Sequence, residues 1–354
     1  MSRLIFVNRF FFPDHSATWH VTGSFNRLSF VLPVDAAMPG RIGAATDPPL
    51  TSVIAMGAAR HKDARLVNWL QDIYPETAVE LGVPLMRGPL AAILTARRDR
   101  SLRQADATVV VGNLMARKVE LLGASPSRVH VITNWCNDQE IRPIAPADNP
   151  LRQAWGLAGQ FVLGYSGNLG LAHEFETVLA AAKQLRNEPH IIFLMIGGGK
   201  RFDELSRAVK EEQLTNSFRF MPYQEQKMLA YSLAVADAHW LSLNPKLEGL
   251  LVPSKFYGIA AAGRPIICIA DKNGDIARLV RQHCCGVVIA PGDADALADA
   301  LRRLSNAPET VSEMGRRVRA MLDVHFTRQK ALERWSGLLD QLDRSPSVRM
   351  PAAQ

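Results

Sequence analysis

From residue 161 onward the chain alternates between short, continuous apolar runs and longer stretches that are apolar on one face only. Phe161–Tyr165, Ile191–Ile196, Phe218–Phe220, residues 237–241, Ile266–Ile269 and Val287–Ile289 have strand length. Between them Phe175, Val178, Leu179, Ala182 and Leu185 recur at helical spacing, as do Leu297, Ala300, Leu301 and Leu304 behind Asp293 as a cap. A similar alternation, less regular, fills the first half. Strand–helix alternation twice over predicts two doubly wound α/β domains, and 354 residues are enough for two separate cores.

In the first half, Leu4–Asn8 reads as a buried strand, which places Asp14, His15 and Ser16 at its carboxyl exit. Ligands of open parallel sheets bind outside those exits. Residues 22–49 fit neither the strand nor the helix period. Thr51–Ala59 reads as a helix and Arg65–Leu70 as a strand whose exit loop carries Asp72 and Glu76; either carboxylate serves equally well as a helix cap. In Pro84–Arg103, Leu85, Met86, Leu90, Ile93 and Leu94 lead into Arg97, Arg98, Arg100 and Arg103. We read this stretch as a helix with one buried face and a solvated basic end, with an anionic bilayer as the alternative partner of the basic end. Ala107–Val111 and Val129–Thr133 are strands, and Asn113 caps a helix through Leu122. Periodicity lapses over residues 136–159, punctuated by Pro143, Pro146 and Pro150, which predicts a linker. The expected organisation is a first domain over 1–145, a second over 146–325, a helix over 326–344 and a disordered tail over 345–354.

Composition narrows the partners. The formal charge of +7 favours an anionic one, but the excess is spread along the chain without a Lys/Arg run, so nucleic acid is not expected. The four cysteines form no CxxC pair, so neither metal spacing nor a disulfide framework is expected. Adjacent Cys284 and Cys285 read as two buried thiols in a reducing cytoplasm, with a strained vicinal bridge as the alternative. No signal sequence is expected in the first thirteen residues, which hold no long h-region with a small-residue cleavage site, and no apolar run approaches the length that spans a bilayer.

Chemistry concentrates in residues 244–265, NPKLEGLLVPSKFYGIAAAGRP. Glu248 is a lone carboxylate followed by Gly249, Leu250 and Leu251. Pro253 is predicted at the first position of a helix, where its missing N–H costs nothing, with Ser254 and Lys255 beside the helix's free N–H groups. Lys255 is a compact cation suited to phosphate. Two further glycine-bearing strand exits, Ser166-Gly167-Asn168-Leu169-Gly170 and Gly197-Gly198-Gly199-Lys200, belong to the same domain. Glycine lets backbone N–H groups approach a phosphate closely. Neither turn matches GxGxxG with its following acidic residue, which argues against a nicotinamide site. Three such exits with one lysine predict a nucleoside-diphosphate site.

The blocks FVNRFFFPDHSAT at 6–18, TDPPL at 46–50, ARLVNWLQDIYPE at 64–76, GYSGNLGLAHEFET at 164–177, MIGGG at 195–199 and LEGLLVPSKFYGIAAAGRP at 247–265 resemble the retaining family 4 glycosyltransferases of the two-domain GT-B fold. Within them the chain looks like the bacterial branch that builds colanic-acid-type exopolysaccharide and O-antigen repeats. The resemblance implies a donor nucleotide sugar, taken as UDP-linked, on the second domain. It implies an acceptor, a polyprenyl-diphosphate-linked glycan, on the first, and catalysis between them. No cofactor or metal is implied, and the location is cytoplasmic, peripheral at the inner membrane surface.

Carried over by position, Glu248 contacts the donor sugar and Lys255 meets the diphosphate, with His15 the third catalytic candidate. Gly249, Leu250 and Leu251 lie along the sugar. Gly167, Asn168, Gly198, Gly199, Ser254 and Gly258 are donor-side candidates, and Asp14, Ser16 and Asp72 face them from the acceptor side. Gly258 falls where the family carries a second glutamate, and Leu171 where relatives often carry arginine. Only about thirty residues separate the PDHSAT and TDPPL segments, where relatives place several elements, so the first domain looks abbreviated. A catalytically impaired nucleotide-binding relative and a sugar-nucleotide epimerase of the same architecture are the alternative readings.

Overall fold

The computed structural model describes residues 4–7, 40–46, 50–86 and 88–344. Asp14, His15, Ser16, most of TDPPL and the tail from 345 lie outside the described residues. The chain forms two compact units, one of Met1–Asn134, Leu247–Val252 and Gln329–Gln354, the other of Trp135–Lys246 and Pro253–Arg328.

The first unit holds five parallel strands, β1 (Leu4–Val7), β2 (Arg41–Ala45), β3 (Arg65–Leu70), β4 (Ala107–Val110) and β5 (Val129–Val131), neighbouring one another in chain order. Helices α1 (Thr51–His61), α2 (Glu76–Glu80), α3 (Pro89–Gln104) and α4 (Asn113–Leu121) follow β2, β3 and β4. Among the described strands β1 stands at the edge. β2 falls in the stretch that fits neither period, and the reason is its composition. RIGAA opens on a charge, yet all five residues are buried. Arg41 is satisfied by Asp343, 302 positions away, through Nε to Oδ1 at 3.1 Å. Asp343 lies on α13 (Arg328–Arg344), whose Ala331, Trp335, Leu338 and Leu342 make one buried stripe. Trp335 meets Trp69 of β3 edge-on, centroids 5.2 Å apart.

Two expectations for this unit are corrected. Asn113 is the first residue of α4 rather than its cap, and Gly112 takes the cap position in extended backbone. In α3 the basic end is solvated at Arg97, Arg100 and Arg103 as expected, but the apolar start and Arg98 depart from the expectation. Leu90 and Ile93 are 44% and 53% exposed, while Arg98 is buried. Arg98 donates to Glu76 Oε2 at 2.9 Å and to the carbonyl of Tyr74 at 2.8 Å. A cation enters a core when such partners replace its water, and the same pairing makes Glu76 an anchor for Arg98.

The second unit carries α5 (Pro150–Ala154), β6 (Phe161–Asn168), α6 (Glu176–Gln184), β7 (Ile191–Gly198), α7 (Lys200–Glu211), β8 (Phe218–Met221), α8 (Leu229–Ala234), β9 (Ala238–Ser242), α9 (Lys255–Ala261), β10 (Ile266–Ile269), α10 (Asp275–Gln282), β11 (Gly286–Ile289), α11 (Ala294–Ser305) and α12 (Pro308–His325). Its six strands are parallel in the order β11-β10-β9-β6-β7-β8. Alternate residues of β7 serve opposite faces. Ile191, Phe193 and Met195 join the core formed with α6, α7 and α11, whereas Ile192, Leu194 and Ile196 join Leu151, Leu157, Val235 and Ala236. Burial on both faces is why these strands read as unbroken apolar runs. Strand order reverses between β6 and β9, which makes a ligand crevice outside their carboxyl ends.

The predicted linker at 136–159 is largely packed against this unit. Arg152 of α5 is buried and donates to Asp237 Oδ1 at 2.9 Å and to the carbonyl of Gln160 at 2.6 Å. Arg319 holds the carbonyls of Ile141 and Ala261 at 3.0 and 2.8 Å. The helix expected from Phe326 begins at Arg328, and α12 precedes it. Phe326, between the two, is buried beside Phe256 and Tyr257. All four cysteines are free. Cys285 is buried, but Cys284 is exposed at φ 47, so only one of the adjacent thiols is inside. Among the described residues no helix is long and apolar enough to cross a membrane.

Candidate functional site

The reversal point of the second sheet is where Gly167, Asn168, Gly198, Gly199 and Lys255 gather. β6 continues through Ser166, Gly167 and Asn168, predicted as turn, because these pair in register with Ile196, Gly197 and Gly198 of β7. The two glycine exits thus form one strip. At its end Gly199 has φ +118, and a Cβ there would stand 2.2 Å from Asn168 Oδ1. Only glycine fits that turn. The 12-residue helix α7 starts at the next residue, so its positive end lies at the strip.

Lys255 crosses this strip. A Cβ on Gly167, itself at φ +119, would lie 3.0 Å from Lys255 Cε, so the glycine makes room for the lysine stem. The ammonium sits 5.4 Å from the Tyr165 ring centroid and 3.1 Å from His173 Nε2. His173 is buried, and its Nδ1 is 2.6 Å from the carbonyl oxygen of Ser242. A carbonyl only accepts, so Nδ1 carries the proton and Nε2 is left to accept from Lys255. Burial, aided by the neighbouring ammonium, brings the imidazole down to about 3, which keeps it neutral. Burial also lowers Lys255, to about 8.

The turn bearing His173 is fastened to the end of β9. Ser242 Oγ donates to the Glu174 carbonyl at 2.7 Å, Glu174 N donates back to Ser242 Oγ at 3.0 Å, and Asn244 N donates to the Ala172 carbonyl at 3.0 Å. Arg201 of α7 donates to the His173 carbonyl at 2.8 Å and pairs with Glu176. Beyond β8, Tyr223 is 60% exposed, and its ring edge would stand 3.1 Å from a Cβ on Gly198. His173, Tyr165 and Tyr223 carried no sequence assignment. The signal for His173 was a titratable residue three positions past Gly170, in the turn before a helix.

Other candidates fall elsewhere. α9 begins at Lys255, two residues after Pro253, and Ser254 makes no side-chain cap bond. The Pro-started helix is therefore corrected. Proline still ends the preceding segment, and Pro253 O accepts from Phe256 N at 3.4 Å. Gly258 turns its open side to Leu233, 3.4 Å from a Cβ there, which is packing and not the strip. Glu248, Gly249, Leu250 and Leu251, expected with the second domain, group with the first unit. Ile73 N donates to the Leu250 carbonyl at 2.8 Å, Leu251 bridges Asp72, and Gly249, at φ +74, lies against the Leu114 carbonyl. Asp72 and Glu248 thus share one backbone-bonded patch of the first unit, with Glu248 half-buried.

Two parallel α/β sheets are the layers of the GT-B fold, and residues 148–321 match the family model Glycosyl transferases group 1. The second unit thus carries a group 1 glycosyltransferase domain, the domain of a transferase. The chain is 27% identical over 276 residues to the probable glycosyltransferase WbjE of Pseudomonas aeruginosa, covering 77% of this chain and 67% of that protein. It is 26% identical to the putative colanic acid biosynthesis glycosyl transferase WcaI of Escherichia coli K12, covering 71% of this chain and 62% of that protein. The chain thus spans about two thirds or less of these relatives' length. Its fold is that of Anabaena Alr3699/HepE, solved in complex with UDP, at a TM-score of 0.78 and 15% identity, over 96% of this chain and 100% of that one.

Proposed function

We propose that the chain transfers a sugar from a UDP-sugar to a lipid-linked glycan in exopolysaccharide, capsule or O-antigen assembly, with retention at the anomeric carbon. The observation that carries this reading is the Lys255 ammonium held over Gly167 at the reversal point of the second sheet. Complexes of Anabaena HepE with UDP and with UDP-glucose support the donor class, and the names of WbjE and WcaI support the pathway class. In the reaction the bond from the anomeric carbon to the diphosphate breaks, and the acceptor oxygen bonds to that carbon. The acceptor proton leaves with the diphosphate. Negative charge grows on the departing diphosphate, where a fixed cation and the N-terminal end of α7 stabilise it. Asp72 and Glu248, in the first unit, are assigned to sugar hydroxyls. The test is calorimetric titration with UDP and GDP, followed by incubation with UDP-glucose and a polyprenyl-linked acceptor. UDP binding with sugar transfer is the expected result. Binding without transfer would favour the catalytically impaired relative, the second reading, which the short spacing between the PDHSAT and TDPPL segments supports.

The acceptor reading extends to α3. Leu90, Ile93, Arg97 and Arg100, spaced i, i+3, i+7 and i+10, are all exposed and share one stripe. Apolar and basic residues on one stripe suit an anionic bilayer surface. Ile93→Ser is expected to weaken binding to phosphatidylglycerol vesicles roughly tenfold, from the loss of one buried isoleucine. Equal sedimentation of both proteins with vesicles would remove the membrane assignment.

A further inference from the structure

We propose that His173 is the positioning residue for Lys255: with Nδ1–H committed to the Ser242 carbonyl, its Nε2 lone pair fixes where the ammonium stands and leaves the positive charge unspent for a diphosphate. This rests on the reading of the strip as a nucleoside-diphosphate site.

Three observations meet here. A lysine carries about 2 kcal/mol of rotamer entropy, so a lysine without a partner would not hold one geometry. Its partner is a neutral acceptor. Among the described residues no carboxylate lies within ion-pair distance of Lys255. The two nearby candidates are engaged: Glu174 accepts from Thr177 N at 3.0 Å, and Glu176 pairs with Arg201. A half-buried cation held by a neutral group is an incomplete arrangement that an anion completes. A carboxylate at position 173 would hold the ammonium equally well and cancel its charge. Imidazole does the first without the second. The ammonium donates one N–H to Nε2, which leaves two for the ligand.

The histidine is itself immobilised. Its backbone N–H goes to the Gly170 carbonyl at 3.1 Å, its carbonyl accepts from Arg201, and Ser242 lies at the carboxyl end of β9. The ordinary alternative is a histidine that only ties this turn to β9 through Nδ1. That role needs nothing from Nε2, so the two can be separated.

The test compares His173→Asn with His173→Gln in the full chain, titrated with UDP, UMP and uridine. The Asn amide nitrogen takes the place of Nδ1 and keeps the Ser242 contact but does not reach Lys255. The Gln amide oxygen takes the place of Nε2. UDP affinity is expected to fall about tenfold in His173→Asn and to stay within about threefold in His173→Gln, with uridine unchanged in both. In a Lys255→Met background His173→Asn is expected to have no further effect on UDP. Equal losses in both variants, or a loss that persists undiminished with Lys255→Met, would overturn the proposal. Nitrogen-15 shifts of the wild-type imidazole test it without any variant: a protonated Nδ1 and bare Nε2 are expected, and the opposite tautomer overturns it. Absence of UDP binding by the wild-type chain would instead sink the donor reading.

Discussion

Lys255→Ala is expected to weaken UDP binding by about two orders of magnitude at pH 7, measured by calorimetric titration. A charged hydrogen bond contributes roughly 1.5–3 kcal/mol, or one to two decades of affinity. The upper end applies because the ammonium sits in a water-poor place, over Gly167 and beside Tyr165. Affinity should also depend on pH in one direction. Burial puts Lys255 at about 8, below its ordinary 10.5. Below pH 8 the free protein already carries the charge, and binding needs no proton. Above pH 8 a proton must be taken up with the ligand, so Kd should rise up to about tenfold per pH unit. The alanine variant should show no such rise. The same depressed value makes the fold gain stability as pH rises from about 8 towards 10.5, since the unfolded chain then binds more protons. An unchanged UDP affinity in Lys255→Ala would remove this lysine from the donor site.

Arg152→Ala is expected to cost about 3–5 kcal/mol of folding stability, read from urea unfolding, because it strands the Asp237 carboxylate. That carboxylate accepts from Arg152 and from the Val162 N–H at 2.7 Å, so Arg152 links α5 to the start of β6 and the approach to β9. The contrasting variant is Lys183→Ala. Its pair with Glu212 is about 40% exposed on both sides, and its loss should cost less than about 1 kcal/mol. Equal effects of the two substitutions would show that α5 does not hold the second unit together.

Much of this was readable because the signals are local. Ile266–Ile269 is a short apolar run buried throughout, and its strand bounds agree with the structure residue for residue, as do those of Arg65–Leu70, where the buried Asn68 is satisfied by Ser101. Asp293 accepts from Ala296 N at 3.0 Å, as a cap is read from sequence. The glycine exits and Lys255 were also legible, since phosphate chemistry restricts the residue types. Illegible features depended on distant partners. Arg98 reads as part of a solvated basic end and Arg41 falls in a stretch without period, yet each is buried against a carboxylate 22 or 302 positions away.

Local signals in the chain carry the α/β class, most of the strands and helices of the second half, and the glycine exits with Lys255, because periodicity and glycine act within a few residues. The reversal of strand order between β6 and β9, the place of the Glu248 loop in the first unit and the pairing of His173 with Lys255 emerge only in three dimensions. Each of these is set by contacts between segments tens to hundreds of residues apart, which local preference leaves open and burial settles.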